Sequence, residues 1–299
     1  MLEQMSTTNA LAPMNWEMLP GAAVQIASSF ESIWALNSAN SLFQCKLPCD
    51  QVTNNWAIIP ESNFKWFSVN PFEVWAVSTD SSLYRCKFPC KTLQDFQLVT
   101  QGVSKVALGL DRVWIISNDF RVGRTLLNFE FLGRFMDVRV LNWKQLYGNI
   151  GDLSVGEDSE VWGIREDDRQ LLRYHRPTRQ WLQVSDIKAK GVSVGSDFIY
   201  LVDQDNNALR CSRPCWQVKF TPIGKKMRYI SAEMSGPGVL YGSLNIDPKM
   251  ANLVVGFTIG NRTGLHHHLN HLNTSYIPYQ ANEWARLQLP QQQNQIAFQ

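Results

Sequence analysis

Six cysteines carry the first chemical signal. They stand as Cys45/Cys49, Cys86/Cys90 and Cys211/Cys215, with proline just before the second member of each pair. A fully extended chain would part the two Cα atoms by about 13 Å over four residue steps. A disulfide needs about 5.5 Å. The chain must therefore turn, and Pro48, Pro89 and Pro214 favour a turn. Closing so small a loop contributes ~2 kcal/mol on the entropic account. Two other readings stay open: three pairs of reduced thiols, or metal. Each pair offers two thiolates, whereas structural zinc takes four ligands. Disulfides point to an extracellular or cell-surface setting and reduced thiols to the cytoplasm.

Aromatic side chains recur with the same regularity, as Trp34, Trp75, Trp114, Trp162, Tyr200 and Tyr241. An indole face suits the apolar face of a pyranose ring, with fixed polar groups around the hydroxyls. Packing between repeated sheets calls for the same residues. A polar turn follows each aromatic strand and supplies Asn37, Asp80, Asp119 and Asp167. These groups could hold sugar hydroxyls, and hairpin turns prefer the same residue types. The candidate ligand-binding set is therefore Trp34, Asn37, Trp75, Asp80, Trp114, Asp119, Trp162 and Asp167.

Other constellations carry less. Asp203-x-Asp205-x-Asn207 begins like a calcium loop, but Ala208 stands where glycine is needed and Pro214 where glutamate is needed. His266, His267, His268 and His271 form a cluster with no adjacent Cys or carboxylate, and read as a solvated insertion. Asn261-Arg262-Thr263 and Asn273-Thr274-Ser275 match glycosylation sequons, which matter only in a secreted chain. No nucleophile motif, paired-carboxylate signature or glycine-rich phosphate loop stands out. The expectation is no catalysis, no cofactor and no metal.

The elements that must position these residues are repeats. Trp16 to Trp34 spans 18 residues, Trp56 to Trp75 spans 19, and Phe96 to Trp114 spans 18. Trp143 to Trp162 and Trp181 to Tyr200 each span 19. The spacing persists where one aromatic has changed, so the repeat is real. Each copy reads as four short strands parted by polar turns, and helical periodicity is absent. Four strands make one blade. A lone four-stranded sheet would leave two apolar faces wet, so blades must stack and close into a ring. The expected fold is all-β: a six-bladed β-propeller of four-stranded blades, closed by a terminal strand. Trp16–Leu19 and the piece around Trp284 compete for that closing edge, and Pro20-Gly21 favours the first.

The domain organisation follows. Residues 1–15 read as a flexible lead-in, 16–260 as the propeller and 261–282 as the His-containing insertion. Residues 283–290 read as a possible closing strand and 291–299 as a Gln-rich disordered tail. The net charge of +2 gives no field that would attract nucleic acid. No apolar run reaches membrane-spanning length, and no secretory signal is visible at the start.

Trp16…Pro20-Gly21, Leu153-Ser154-Val155-Gly156, Val161-Trp162-Gly163-Ile164 and Leu83-Tyr84-Arg85 together resemble the tectonin-type β-propeller repeats. Those repeats occur in fish-egg lectins, slime-mould tectonins and horseshoe-crab lipopolysaccharide-binding lectins. The resemblance covers about 16–260 and is strongest in repeats one, two, four and five. It implies a multivalent carbohydrate-binding lectin for cell-surface or microbial glycans, without catalysis. The alternative is a non-enzymatic scaffold whose rim binds proteins or lipid headgroups.

Overall fold

A computed structural model describes residues 14–29, 32–47, 49, 55–126, 143–156, 158–232, 239–244 and 252–258. The His-containing insertion, the competing strand near Trp284 and the Gln-rich tail lie outside these residues. Apart from one 3₁₀ turn at Leu93–Asp95, the described residues are strands and connections.

β1 (Met14–Ala22) opens the chain. The first unit is β2 (Gln25–Ser28), β3 (Ser32–Leu36), β4 (Leu42–Lys46) and β5 (Trp56–Ile58). The second is β6 (Phe64–Val69), β7 (Glu73–Ser78), β8 (Ser82–Lys87) and β9 (Gln97–Gln101). The third is β10 (Val103–Leu108), β11 (Arg112–Ser117), β12 (Val122–Leu126) and β13 (Lys144–Leu146). Each is a four-stranded antiparallel sheet in chain order.

The remaining strands are β14 (Ile150–Val155), β15 (Val161–Arg165), β16 (Gln170–His175) and β17 (Gln180–Val194). After them come β18 (Phe198–Asp203), β19 (Asn207–Ser212), β20 (Thr221–Ala232), β21 (Val239–Leu244) and β22 (Asn252–Thr258). The long strands β17 and β20 each serve two units. The first part of β17 pairs with β16 and Ala189–Val194 pairs with β18. In β20, Thr221 and Pro222 pair with β19, while Met227–Ala232 pairs with β21. Units four, five and six are thereby fused into one continuous ladder, and β1 completes the last of them.

The inner strands meet around an axis. β2, β6, β10, β14, the end of β17 and the end of β20 each touch the next, and β20 touches β2. Such a ring of four-stranded sheets is a β-propeller. β1 closes it, with Trp16 opposite Gly256 and Met18 opposite Val254 of β22. The Trp16–Leu19 segment is thus the clasp that its Pro20-Gly21 ending suggested.

The apolar core is divided into wedges, each shared by two neighbouring units. Trp34, Leu36 and Leu42 pack with Phe64, Phe67 and Val74 of the next unit. Trp75 and Leu83 pack with Val106 and Val113, and Trp114 with Leu153 and Val161. Trp162 packs with Val192 and Ile199, and Tyr200 with Met227 and Ile230. Among the described residues the recurring aromatic of β3, β7, β11, β15 and β18 sits in these wedges because neighbouring units cover the second strand of each sheet on both faces.

Where each inner strand ends, the next one presses close. A Cβ at Gly156 would stand 2.7 Å from Val194 Cγ1, and one at Gly109 would stand 2.9 Å from Val155 Cγ1. Serines two residues earlier stitch the strands together. Ser68 Oγ accepts from Leu108 N, Ser154 Oγ from Val194 N, and Ser193 Oγ from Ala232 N.

Candidate functional site

The axis carries a layer with one residue from each inner strand: Gln25, Trp66, Lys105, Asp152, Gly191 and Tyr229. Gln25 accepts from Phe67 N and donates to Phe67 O and to the Tyr229 hydroxyl. Trp66 donates to Val106 O, and Lys105 Nζ pairs with Asp152 at 2.8 Å. Burial raises the Tyr229 hydroxyl pKa, and the Asp152 charge raises it further. The space between these strands is about 60 Å³. A water needs roughly 10–15 Å³ of such space, so the axis accommodates a few waters and no sugar ring. Gln25, Trp66, Lys105 and Asp152 are occupied in holding neighbouring units together.

Antiparallel alternation sends the connections to two opposite faces. The loops entering the aromatic strands share one face with the cysteine loops. The polar turns after the aromatic strands emerge on the other. This separates the members of the expected ligand set. Trp34, Trp75, Trp114 and Trp162 are all at most 1% exposed, so none offers an indole face to a ligand. Their reading as direct ligand contacts gives way to packing. Asp80 lies in the turn beyond the end of β7, whose last residue is three past Trp75, about 10 Å along the strand.

The turn residues are occupied locally. Asn37 Oδ1 accepts from Ala39 N and Ser41 N. Asp80 accepts from the Ser78 hydroxyl and from Ser82 N. Asp119 accepts from the Ser117 hydroxyl and pairs with Arg121 at 2.9 Å. Asp167 accepts from Asn149 Nδ2 at 2.6 Å. The Ser78 and Ser117 hydroxyls hold the Asp80 and Asp119 carboxyls below their ordinary 3.8. Asn37 and Asp80 brace their hairpin turns through backbone N–H groups, Asp119 is held by neighbouring side chains, and Asp167 is held by Asn149 of the connection before β14.

The cysteines pair within each loop: Cys45–Cys49, Cys86–Cys90 and Cys211–Cys215, with Cα separations of 5.8, 6.0 and 5.7 Å. Each disulfide ties down a loop on the face opposite the polar turns. Such loops reach back to the preceding unit. Phe88 stacks on Trp34 at 5.7 Å and 10°.

The same reach builds a cleft of about 860 Å³ between units four and five. Its floor is a cross-strand module. Trp162 faces Arg173 across β15 and β16. Glu160 accepts from Trp162 Nε1 at 2.9 Å and pairs with Arg173 Nε at 2.8 Å. From the third disulfide loop, Arg213 pairs with Asp158 and, at 2.7 Å, with Glu160. Burial presses the Arg213 pKa down, and the two carboxylates more than offset it. Arg213 also donates to Gly195 O and Ser196 O. Two cations and two anions are thus mutually neutralised.

Over this floor stands Trp216, 74% exposed, with the Arg173 guanidinium 4.8 Å from its ring centre. Pro177, Leu182, Val184, Pro214 and Val218 form apolar parts of the walls, beside Tyr174, His175 and Arg176. The site's chemistry is an exposed aromatic among apolar side chains, above a rigid network of paired charges. Sequence reasoning passed over it. One signal was present: after the second cysteine the other loops carry Asp50 and Lys91, and the third carries Trp216.

No protein-family model matches the chain, and no curated protein sequence does. Solved structures do. Prp20p from Saccharomyces cerevisiae, described with its binding to Gsp1p and histones, is 11% identical at a TM-score of 0.50. That match covers 83% of this chain and 85% of Prp20p. A luciferin-regenerating enzyme reaches a TM-score of 0.56 at 9% identity, covering 83% of this chain and 96% of its own. An inactive virginiamycin B lyase from Staphylococcus aureus reaches 0.51 at 12% identity, covering 81% and 83%. At such identities the likeness shows the fold alone. Binding proteins and enzymes both stand among these neighbours, so shared architecture does not select a function.

Proposed function

We propose that the chain is a non-catalytic interaction propeller, and that its partner docks at the cleft between units four and five. One observation carries this reading: Trp216 stands exposed and stacked by Arg173 in a mainly apolar cleft. Trp and Arg dominate binding energy at protein interfaces when they sit in well-packed surroundings. The charges below are already paired, so they favour an apolar or aromatic anchor over an ion. The partner that fits is a protein segment presenting such an anchor.

A second reading keeps the lectin expectation at this one place. The same indole face could stack on a pyranose ring, with Asp158 and Glu160 near its hydroxyls. That reading concerns a single site. Repeated sites built on the buried tryptophans have no exposed surface to use.

Parallel screens of a peptide library and a glycan array, each with the native chain and with Trp216→Ala, separate the two. The docking reading expects peptides with an aromatic or aliphatic anchor to bind, and the variant to lose roughly thirtyfold in affinity. Peptide binding that Trp216→Ala leaves unchanged would overturn it. Binding of glycans alone, lost in the variant, would establish the second reading in its place.

A further inference from the structure

Two units carry an acid and a base on one diagonal across their second and third strands. Glu73 pairs with Arg85 at 2.6 Å, and Glu160 with Arg173 at 2.8 Å. In the third unit the same two places hold Arg112 and Arg124, since Trp114 faces Arg124 as Trp75 faces Arg85. The acid has become a second cation.

The surroundings of this slot add donors. The Arg124 guanidinium lies 5.3 Å from the Trp114 ring centre and 5.5 Å from that of Tyr174. Among the described residues it has no carboxylate partner. Arg176 enters from the next unit at the place Arg213 takes one slot further on, donating to the carbonyls of Asp158 and Ser159. Burial presses the Arg124 pKa down, and the charges of Arg112, Arg179 and Arg176 press the same way. Among the described residues, the carboxylate found at this slot is Asp111, engaged by Arg112 Nε at 3.1 Å and by the Ser159 hydroxyl at 2.7 Å.

Beneath the arginines Trp114, Tyr174 and Trp181 pack edge to face, with ring centres 5.2 to 6.4 Å apart. Trp114 Nε1, Trp181 Nε1 and the Tyr174 hydroxyl are buried without a hydrogen-bond partner, and Tyr174 is only 4% exposed. In unit four the corresponding indole N–H donates to Glu160. A buried donor without an acceptor is costly. Here the Trp114 N–H occupies the place whose counterpart meets a carboxylate in unit four, and the Tyr174 ring lies beside Arg124, whereas Trp181 Nε1 faces Gly148 in the connection before β14.

We propose that the slot between units three and four is an oxyanion site, taking a sulfate or phosphate group among Arg112, Arg124 and Arg176. A tetrahedral group presents several acceptor oxygens with negative charge, which suits guanidinium donors arriving from different strands. The slot adjoins the Trp216 cleft, which Tyr174 and Arg176 also line, but Arg112 and Arg124 do not line it, so variants at those two residues leave the docking reading untouched.

The test titrates the full chain with sodium sulfate and sodium phosphate, against chloride at constant ionic strength, by calorimetry and thermal melting. Saturable binding with a raised melting temperature is expected. Arg112→Glu rebuilds the acid–base pair of the neighbouring unit, and should weaken binding at least about tenfold without lowering the melting temperature. Arg124→Gln should weaken it similarly. Glycerol phosphate is the third probe: binding like the free ion means that a group on a larger molecule is accepted, and exclusion means a free anion. No effect of sulfate or phosphate beyond chloride overturns the proposal. So does Arg112→Glu binding as tightly as the native chain.

Discussion

A residue's type fixes its chemistry, and its place fixes whether that chemistry meets a ligand. Trp75 is fully buried between units two and three. Replacing it by Ala removes a large side chain from a close-packed wedge and costs about 3–5 kcal/mol. The expected outcome of Trp75→Ala is a destabilised or unfolded chain, measured by denaturant melts. A stable variant that lost only binding would return Trp75 to the ligand. Asp80 belongs to the same scale. Its folded pKa lies below the ordinary 3.8, chiefly through the Ser78 hydroxyl. The ionised carboxylate therefore supports the fold above its unfolded pKa, and that support is lost as pH falls through the folded value. In Ser78→Ala, an NMR titration should find the Asp80 midpoint raised toward 3.8. An unmoved midpoint would remove the serine from the account.

At the scale of elements, the disulfide loops are the structures most exposed to change. Each closes over a sequence separation of four. The third also presents Trp216 and Arg213 to the cleft. Cys211→Ser with Cys215→Ser should cost about 2 kcal/mol and loosen the cleft more than the distant axis. Amide exchange read by mass spectrometry checks this. Protection should fall in the loop around Trp216 and persist in β14 and β10. Uniform loss of protection would mean that the loop supports the whole fold. Long β17 and β20 show a second property of elements. By running on from an outer position in one unit to an inner position in the next, they turn neighbouring sheets into one ladder.

The described residues of 14–258 form a closed ring, so the first and last strands of that stretch must meet. β1 supplies the edge that β22 lacks, with Met18 opposite Val254. Met18→Pro removes a donor from that ladder, and proline is poorly tolerated inside a sheet. The expected result is joint loss of amide protection in β1 and β22, with a lower melting temperature. Loss confined to β1 would show that the ring is held closed elsewhere. Closure also explains the axis. Gln25 of the first unit and Tyr229 of the last meet there only because the ring brings their strands together.

The repeat spacing, the four-strand pattern and the cysteine pairs were all written in the chain. They are local: a strand period, a turn residue or a four-residue loop needs no distant partner to be specified. The aromatic at the third strand was legible as well, but not its role, because a packed indole and a stacking indole use the same residue at the same spacing. Only the tertiary structure decided between them, by covering Trp34, Trp75, Trp114 and Trp162 on both sides. It also parted those residues from Asn37, Asp80, Asp119 and Asp167, since antiparallel strands send successive connections to opposite faces. The cleft was decided there too. Trp216, Arg173 and Glu160 lie on separate elements of two units, and no spacing along one chain announces that they meet.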